Sequence, residues 1–235
     1  MNDPRPEPAN AYVRAWDLPT RLFHWALVLL LIGAYVTRKY SDTLTWHIWN
    51  GYAILVLVVF RVLWGFAGSS TSRFASFLYW PWTSARYGLD FLLRRPRFFL
   101  SHNPLGSLAA LAMLGLVALQ GVLGLFSYDD HDSIDGGPLS GRAAAATVAA
   151  ATAWHLWLFY LLLAVIGVHI LANILYLVWK RENLIAPMIT GLKPAKPFED
   201  QPEARIAPAW RAIVCLLFAV AIVFGGIVLA GGKPF

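Results

Sequence analysis

The chain lacks most of what a water-soluble protein needs. Of its 235 residues only 14% are charged, whereas 58% are apolar, and this balance is too apolar for an ordinary soluble domain. The one cysteine, Cys215, excludes an intrachain disulfide. No Asp or Glu falls inside any long apolar run, which argues against a proton relay or a divalent-cation path through a bilayer. The sequence therefore predicts an integral membrane protein, and it argues against a transporter that relies on carboxylates inside the membrane.

Five apolar runs are long enough, or nearly so, to cross a hydrocarbon core of about 30 Å. The first can extend backwards through Pro19, which suits the first turn of a helix. The fourth is longer than a span requires, so we expect part of it to emerge into water. The connection 68–101 is rich in arginine and aromatic residues, which predicts one or two helices lying in the membrane interface. The predicted spans are Leu22 to Thr37, His47 to Ala67, Pro104 to Phe126, Ala143 to Trp179 and Ala209 to Ala230.

The distribution of basic residues predicts the orientation. Nineteen Lys and Arg outnumber 13 Asp and Glu, and most of them flank the same ends of the spans. The first 21 residues are polar and proline-rich and lack the apolar stretch of a cleaved signal peptide. By the positive-inside rule we expect a multi-pass protein of the bacterial inner membrane, with a cytoplasmic N-terminus and a periplasmic C-terminus. Lipid is the expected surrounding, and no nucleic-acid partner is predicted because the basic residues form no separate domain.

The same pattern divides the chain into four parts. A polar N-terminal segment, 1–21, precedes a transmembrane core, 22–186. A cytoplasmic linker, 187–208, is rich in proline and polar residues, and a C-terminal transmembrane helix occupies 209–235.

Two histidines on the fourth span, His155 and His169, are the most informative polar residues. They are 14 positions apart, so they point within roughly 40° of each other and lie about 21 Å apart along the helix axis. An ionisable side chain inside a span is costly and indicates a functional site. Two of them on one face, near opposite leaflets, indicate two stacked cofactors.

Two other histidines match this pair in depth. His24 lies near the cytoplasmic end of the first span, at the depth of His169, and His47 opens the second span at its outer end, at the depth of His155. A low-spin haem iron takes two axial imidazoles, which facing helices can supply. The C-x-x-C-H motif of covalently attached haem is absent. We therefore predict two haem b groups, with the axial pairs His24/His169 and His47/His155. A single histidine in an apolar helix can also serve packing alone, but four at two depths favour ligation.

Three further residues each have more than one interpretation. Arg61 follows His47 by 14 positions, so it shares that helix face and can pair with a haem propionate or end the span as a snorkelling arginine. His102, at the start of the third span, can be a helix-entry or interface residue, replace an assigned inner ligand or border a quinone pocket. His131 lies among aspartates in the outer loop 127–142, as part of a solvated loop, a docking patch for a basic electron carrier or a weak metal site.

Several motifs resemble the bacterial di-haem cytochrome b561 and nickel–iron hydrogenase cytochrome b family. The resemblance implies an all-α, integral membrane four-helix bundle that holds two haem b groups, with ligands at His24, His47, His155 and His169. The last span is an additional C-terminal transmembrane helix on this core, beside the interfacial helices. The matching stretches lie between Trp16 and Lys193 and are WDLPTRLFHW, HIWNGYAILVLVVFRVLWGFAG, SHNPLGSLAALAML, WHLWLFYLLLAVIGVHILANIL and RENLIAPMITGLK.

The function predicted from the sequence is transmembrane electron transfer between the quinone pool and a redox partner. That partner is expected to be a dehydrogenase, hydrogenase-like subunits or a periplasmic cytochrome, so the protein is a conduit or the membrane subunit of an oxidoreductase complex. The alternative is a haem-free, histidine-based transporter or a structural membrane subunit. A visible haem spectrum separates the two.

Overall fold

Long helices account for most of the chain. The computed structural model describes residues 11–39, 43–93, 95, 97–128 and 136–234; the prediction about His131 falls outside these ranges. Two three-residue 3-10 turns, Phe74–Ser76 and Ser140–Arg142, interrupt the connections. The elements in chain order are β1 (Tyr12–Arg14), α1 (Leu18–Thr37), α2 (Leu44–Ala67), α3 (Pro81–Leu92), α4 (Pro104–Phe126), α5 (Ala145–Trp179), α6 (Ile185–Thr190), β2 (Leu192–Pro194) and α7 (Ala209–Leu229).

Five of these helices, α1, α2, α4, α5 and α7, are long and apolar enough to cross a membrane. This confirms the five predicted spans and the predominantly helical fold. The first helix does extend back through Pro19. The fourth span is one continuous helix of 35 residues, which at about 1.5 Å per residue exceeds the hydrocarbon thickness.

Side-chain caps set where two of the spans begin. Asp17 precedes α1, and its Oδ1 accepts a hydrogen bond from the backbone N–H of Thr20 at 2.7 Å. Asn103 precedes α4, and its Oδ1 accepts from the N–H of Gly106 at 2.8 Å. Each cap satisfies an N–H that the helix itself leaves unpaired.

The helix α2 lies at the centre of the bundle. It packs against α1, α4 and α7, and α4 packs against α5. One buried cluster joins Ile54 and Val58 of α2 to Val117 of α4 and Leu162 of α5. We call the end of the bundle that holds the connection 68–103 the connector end, and the other the opposite end. The chain enters α1, α4 and α7 at the connector end and leaves α2 and α5 there.

The fifth membrane helix, α7, covers one face of α2. Its buried residues Cys215, Ala219, Val223 and Ile227 recur every four positions, which places them on one stripe of the helix. They pack against Tyr52, Leu55, Val56, Phe60 and Trp64 of α2. Most of the other α7 side chains are apolar and exposed, as expected for a helix that faces lipid.

A two-stranded antiparallel ribbon closes the connector end, and the all-α prediction did not include it. β1 pairs with β2 in the register Tyr12 to Pro194, Val13 to Lys193 and Arg14 to Leu192. Strands of three residues carry no detectable alternation, so the sequence pattern could not reveal them. The ribbon joins the predicted N-terminal segment to the predicted linker.

The linker also anchors the connection 68–103. The Asp200 carboxylate accepts hydrogen bonds from the N–H groups of Leu100 and Ser101, at 2.7 and 2.8 Å. Ser69 and Ser70 are buried, and their hydroxyls accept from the N–H groups of Ala207 and Arg205 in the linker. The two segments therefore form one folded unit at the connector end.

Candidate functional site

The four predicted histidines lie on three helices and group at two levels of the bundle. His24 is on α1, His47 on α2, and His155 and His169 on α5. All four side chains are half-buried. Because α5 is unbroken between His155 and His169, these two stay on one helix face and define a level near each end.

His47 and His155 meet near the opposite end. Their ring centroids are 6.2 Å apart and the ring planes are nearly perpendicular, at 88°. The Nδ1 atom of His47 lies 3.0 Å from the carbonyl oxygen of Ala34, and that of His155 lies 2.9 Å from the carbonyl oxygen of Gln120. A ring that donates from Nδ1 to a carbonyl carries its free lone pair on Nε2. Both imidazoles are thus held in the tautomer that ligates through Nε2.

The separation of these rings fits a shared metal ion. Metal–imidazole bonds are about 2.0 Å long, and with roughly 1 Å from each nitrogen to its ring centre, two axial imidazoles have centroids about 6 Å apart. The observed distance agrees with that value. The carbonyl acceptors at Nδ1 are also the usual outer partners of metal-bound histidine.

Gln120 holds His155 at two points, and the sequence interpretation missed it. Besides accepting from Nδ1 through its backbone carbonyl, Gln120 donates from its side-chain Nε2 to the carbonyl oxygen of His155 at 3.0 Å. One turn further along α4, a Cβ atom built on Gly124 would lie 3.1 Å from Cε1 of the His155 ring. Gly124 therefore gives this imidazole room to lie against α4.

Four other glycines in the spans differ in what surrounds them. A Cβ on Gly121 would approach Leu55 to 2.7 Å, so this glycine serves close packing of α4 on α2. A Cβ on Gly51, Gly115 or Gly167 would meet no atom within 4 Å among the described residues.

His24 and His169 form the second group, toward the connector end. They lie close enough to interact electrostatically. Nδ1 of His24 is buried and has no hydrogen-bond partner among the described residues. The ring of His24 contacts Trp25, whose indole N–H donates to the carbonyl oxygen of Met188. His169 has Asn173 one turn away, with the amide nitrogen 3.4 Å from Nε2.

Arg61 is a buried cation in the same region. Only 7% of its surface is exposed, and one terminal nitrogen of its guanidinium has no hydrogen-bond partner in the described part of the chain. Its guanidinium lies over the rings of Phe74 and Phe77, 5.4 and 5.7 Å from the centroids. The nearby Asp17 carboxylate already accepts hydrogen bonds from other donors. These are the backbone N–H of Thr20, the Trp64 indole and the Ser72 hydroxyl. A buried cation with a free N–H favours an anionic partner.

His102 lies between the aromatic rings of Trp16 and Phe77, with ring centroids 4.9 and 4.6 Å away. Its Nδ1 is buried and lacks a hydrogen-bond partner among the described residues. Burial lowers the pKa of His102 to about 3, and the charge of Arg61 acts in the same direction. The imidazole is therefore neutral at physiological pH. The helix cap itself is the next residue, Asn103.

These observations define a class of protein, a membrane helical bundle in which paired imidazoles of facing helices meet, as in b-type cytochromes. The model of the prokaryotic cytochrome b561 family matches residues 15–191, which is more than half of the chain, and the protein belongs to this family. Membership implies a multi-pass bacterial membrane protein that transfers electrons across the membrane by b-type haem. Comparisons with curated proteins and with solved structures gave no match.

The residues present fit this cofactor. The pair His47 and His155 has the spacing and tautomers of axial ligands, and the unpartnered nitrogens of His24 and Arg61 lie at the other level. The family match ends at residue 191, so β2 and α7 lie outside it.

Proposed function

We propose that the protein relays electrons through two haem b groups, one at each level of the bundle. His47 and His155 would hold one group and His24 and His169 the other. The iron supplies the one-electron chemistry; the chain supplies the ligands, the dry surroundings and the fixed spacing. The observation that carries the proposal is the His47–His155 pair, with both Nδ1 atoms on backbone carbonyls. Since both irons would be six-coordinate, the protein is a conduit rather than an oxygen-activating enzyme.

The connector end is proposed to face the cytoplasm. Arg73, Arg86, Arg97 and Lys180 belong to this end or to its connections, in agreement with the positive-inside rule. The N-terminus would then be cytoplasmic and the C-terminus periplasmic.

The electron donor and acceptor are proposed to be a quinone and a redox protein. A quinone pocket at the connector end is favoured by His102, a neutral imidazole with a free nitrogen beside the buried Arg61. The protein partner would be a dehydrogenase, hydrogenase-like subunits or a periplasmic cytochrome.

The first test is the haem content of the purified full-length protein. We expect about two haem b per chain, low-spin in both oxidation states, with two components in a redox titration. A protein that is folded but free of haem would support the transporter alternative, and a single haem per chain would contradict the two-level arrangement. Reoxidation of the reduced protein by a soluble quinone tests the acceptor.

Arg61 is proposed to pair with a propionate of the connector-end haem, because its free guanidinium nitrogen needs an anionic partner. In Arg61→Gln we expect one of the two midpoint potentials to fall by about 60 mV, a tenfold change in the reduction equilibrium. A cation near the haem favours the reduced state, which carries one more electron, so its loss lowers the potential.

Arg61→Lys is the matched control, because it keeps the charge; its potentials should stay close to those of the wild type. The measurement is a spectroscopic redox titration. Two unchanged midpoints in Arg61→Gln would show that the guanidinium only anchors the end of α2.

A further inference from the structure

The helix α3, in the connection between α2 and α4, has one buried face. Ser84, Tyr87 and Asp90 are its buried residues. The Ser84 hydroxyl donates to the carbonyl oxygen of Pro104 at 3.0 Å. The hydroxyl groups of Tyr87 and Tyr176 are 2.9 Å apart, which ties α3 to the last turn of α5.

The other face of α3 is apolar, aromatic and exposed. Trp82 is 79% exposed and Leu89 is 62% exposed, and Arg86 lies exposed between them. Positions 82, 86, 89 and 93 fall on one stripe of a helix. A stripe that combines tryptophan, leucine and arginine is typical of helices lying at a membrane surface.

Beside this stripe lies an open cleft of about 640 Å³. Its charged lining consists of Arg86, Arg95, Arg97 and a single carboxylate, that of Asp90. Asp90 accepts from Arg95 at 3.3 Å and from Arg97 at 3.1 Å. Among the described residues no carboxylate lies within 4 Å of the Arg86 guanidinium. Arg97 also pairs with Glu199 at 2.7 Å, and even with this second carboxylate the three arginines outnumber the acidic groups. The Trp82 ring borders the cleft.

We propose that this cleft binds the phosphate of an anionic phospholipid, with Arg86 as its main contact and the acyl chains beside Trp82 and Leu89. Charge complementarity selects an anionic headgroup, and the exposed apolar stripe selects a lipid over a free phosphate ion. The site does not depend on the proposed haem ligands. Its bound lipid would hold α3 in place. Through the Tyr87–Tyr176 contact it would also steady the last turn of α5, where Tyr176 lies seven residues beyond His169.

The test compares the full-length protein in nanodiscs of zwitterionic lipid with and without added phosphatidylglycerol. Native mass spectrometry of protein released from them measures the retained phosphatidylglycerol. We expect Arg86→Gln to weaken retention about fivefold, the effect of one basic residue at an anionic surface, and Arg86→Lys to keep most of it. The matched control is Arg142→Gln, an exposed arginine in the 3-10 turn at the opposite end, which should behave like the wild type.

Equal retention of phosphatidylglycerol in Arg86→Gln and in Arg142→Gln would overturn the proposal, and so would competition by inorganic phosphate.

If Arg86→Gln does not fold, a second measurement decides. Brominated phosphatidylglycerol should quench the fluorescence of the wild type more than that of Trp82→Phe, whereas brominated zwitterionic lipid should not separate them. If the difference in quenching between the wild type and Trp82→Phe were the same with both brominated lipids, an anionic site would be excluded.

Discussion

Replacement of His155 by alanine is expected to remove one haem of the two and to leave the other. Its imidazole faces His47 at a centroid distance of 6.2 Å, and the second level of the bundle is 14 residues away on the same helix. A haem that is not covalently attached is held by its two axial bonds, and the loss of one imidazole removes one of them. We expect the haem-to-protein ratio to fall from about two to about one, and the redox titration to become a single component.

The mirror experiment is His169→Ala, which should remove the other component. Together the two variants assign each midpoint potential to one end of the bundle. His102→Ala serves as the control histidine, since it should keep both haems if His102 is not a ligand. A folded His155→Ala protein with two haems would contradict the assignment, and a His102→Ala protein with one haem would transfer an axial role to His102.

Gly124→Ala is expected to damage the same site without replacing a proposed ligand. The new Cβ would lie 3.1 Å from Cε1 of His155, closer than ordinary van der Waals contact. The ring cannot move aside freely, because its Nδ1 is bonded to the carbonyl of Gln120 at 2.9 Å. Overpacking of this kind costs about 1–3 kcal/mol. We expect reduced occupancy or a shifted potential of the haem at the opposite end, and no change in the other.

Gly115→Ala on the same helix is the matched control. A Cβ there would meet no described atom within 4 Å, and alanine is favoured over glycine inside a helix. Its haem content and midpoint temperature of unfolding should equal or exceed those of the wild type. If Gly124→Ala and Gly115→Ala prove indistinguishable in haem content and potential, the close approach of Gly124 to His155 has no functional weight.

The sequence predicted the parts of the fold that depend on local composition. The five spans follow from hydropathy, and the start of α1 follows from Pro19, because both are short-range signals. The order and direction of the spans predicted that His47 and His155 share a level, and helical spacing predicted that Arg61 lies deep on the face of His47. The structure places the first two in ring contact and buries the third.

What the sequence could not predict depends on contacts between distant segments. Gln120 is 35 residues from the His155 that it holds, and no local pattern connects them. The carboxylate of Asp17 caps α1, as its position before Pro19 suggests, but its bonds to Trp64 and Ser72 join three segments. The β1–β2 ribbon likewise pairs residues about 180 positions apart. Its strands are too short to show the alternation of apolar and polar residues that predicts a strand.

The hydrogen bonds between the linker and the connection 68–103 impose an order on biogenesis. Leu100 and Ser101 find the acceptor for their N–H groups in Asp200, and Ser69 and Ser70 find their partners in Ala207 and Arg205. During synthesis, α1 to α5 emerge from the ribosome before these partners exist. The connector end, where the proposed ligands His24 and His169 lie, therefore stays incomplete until the linker has been made. The contacts that complete the end where α1 begins are made by a segment synthesised after four of the membrane helices.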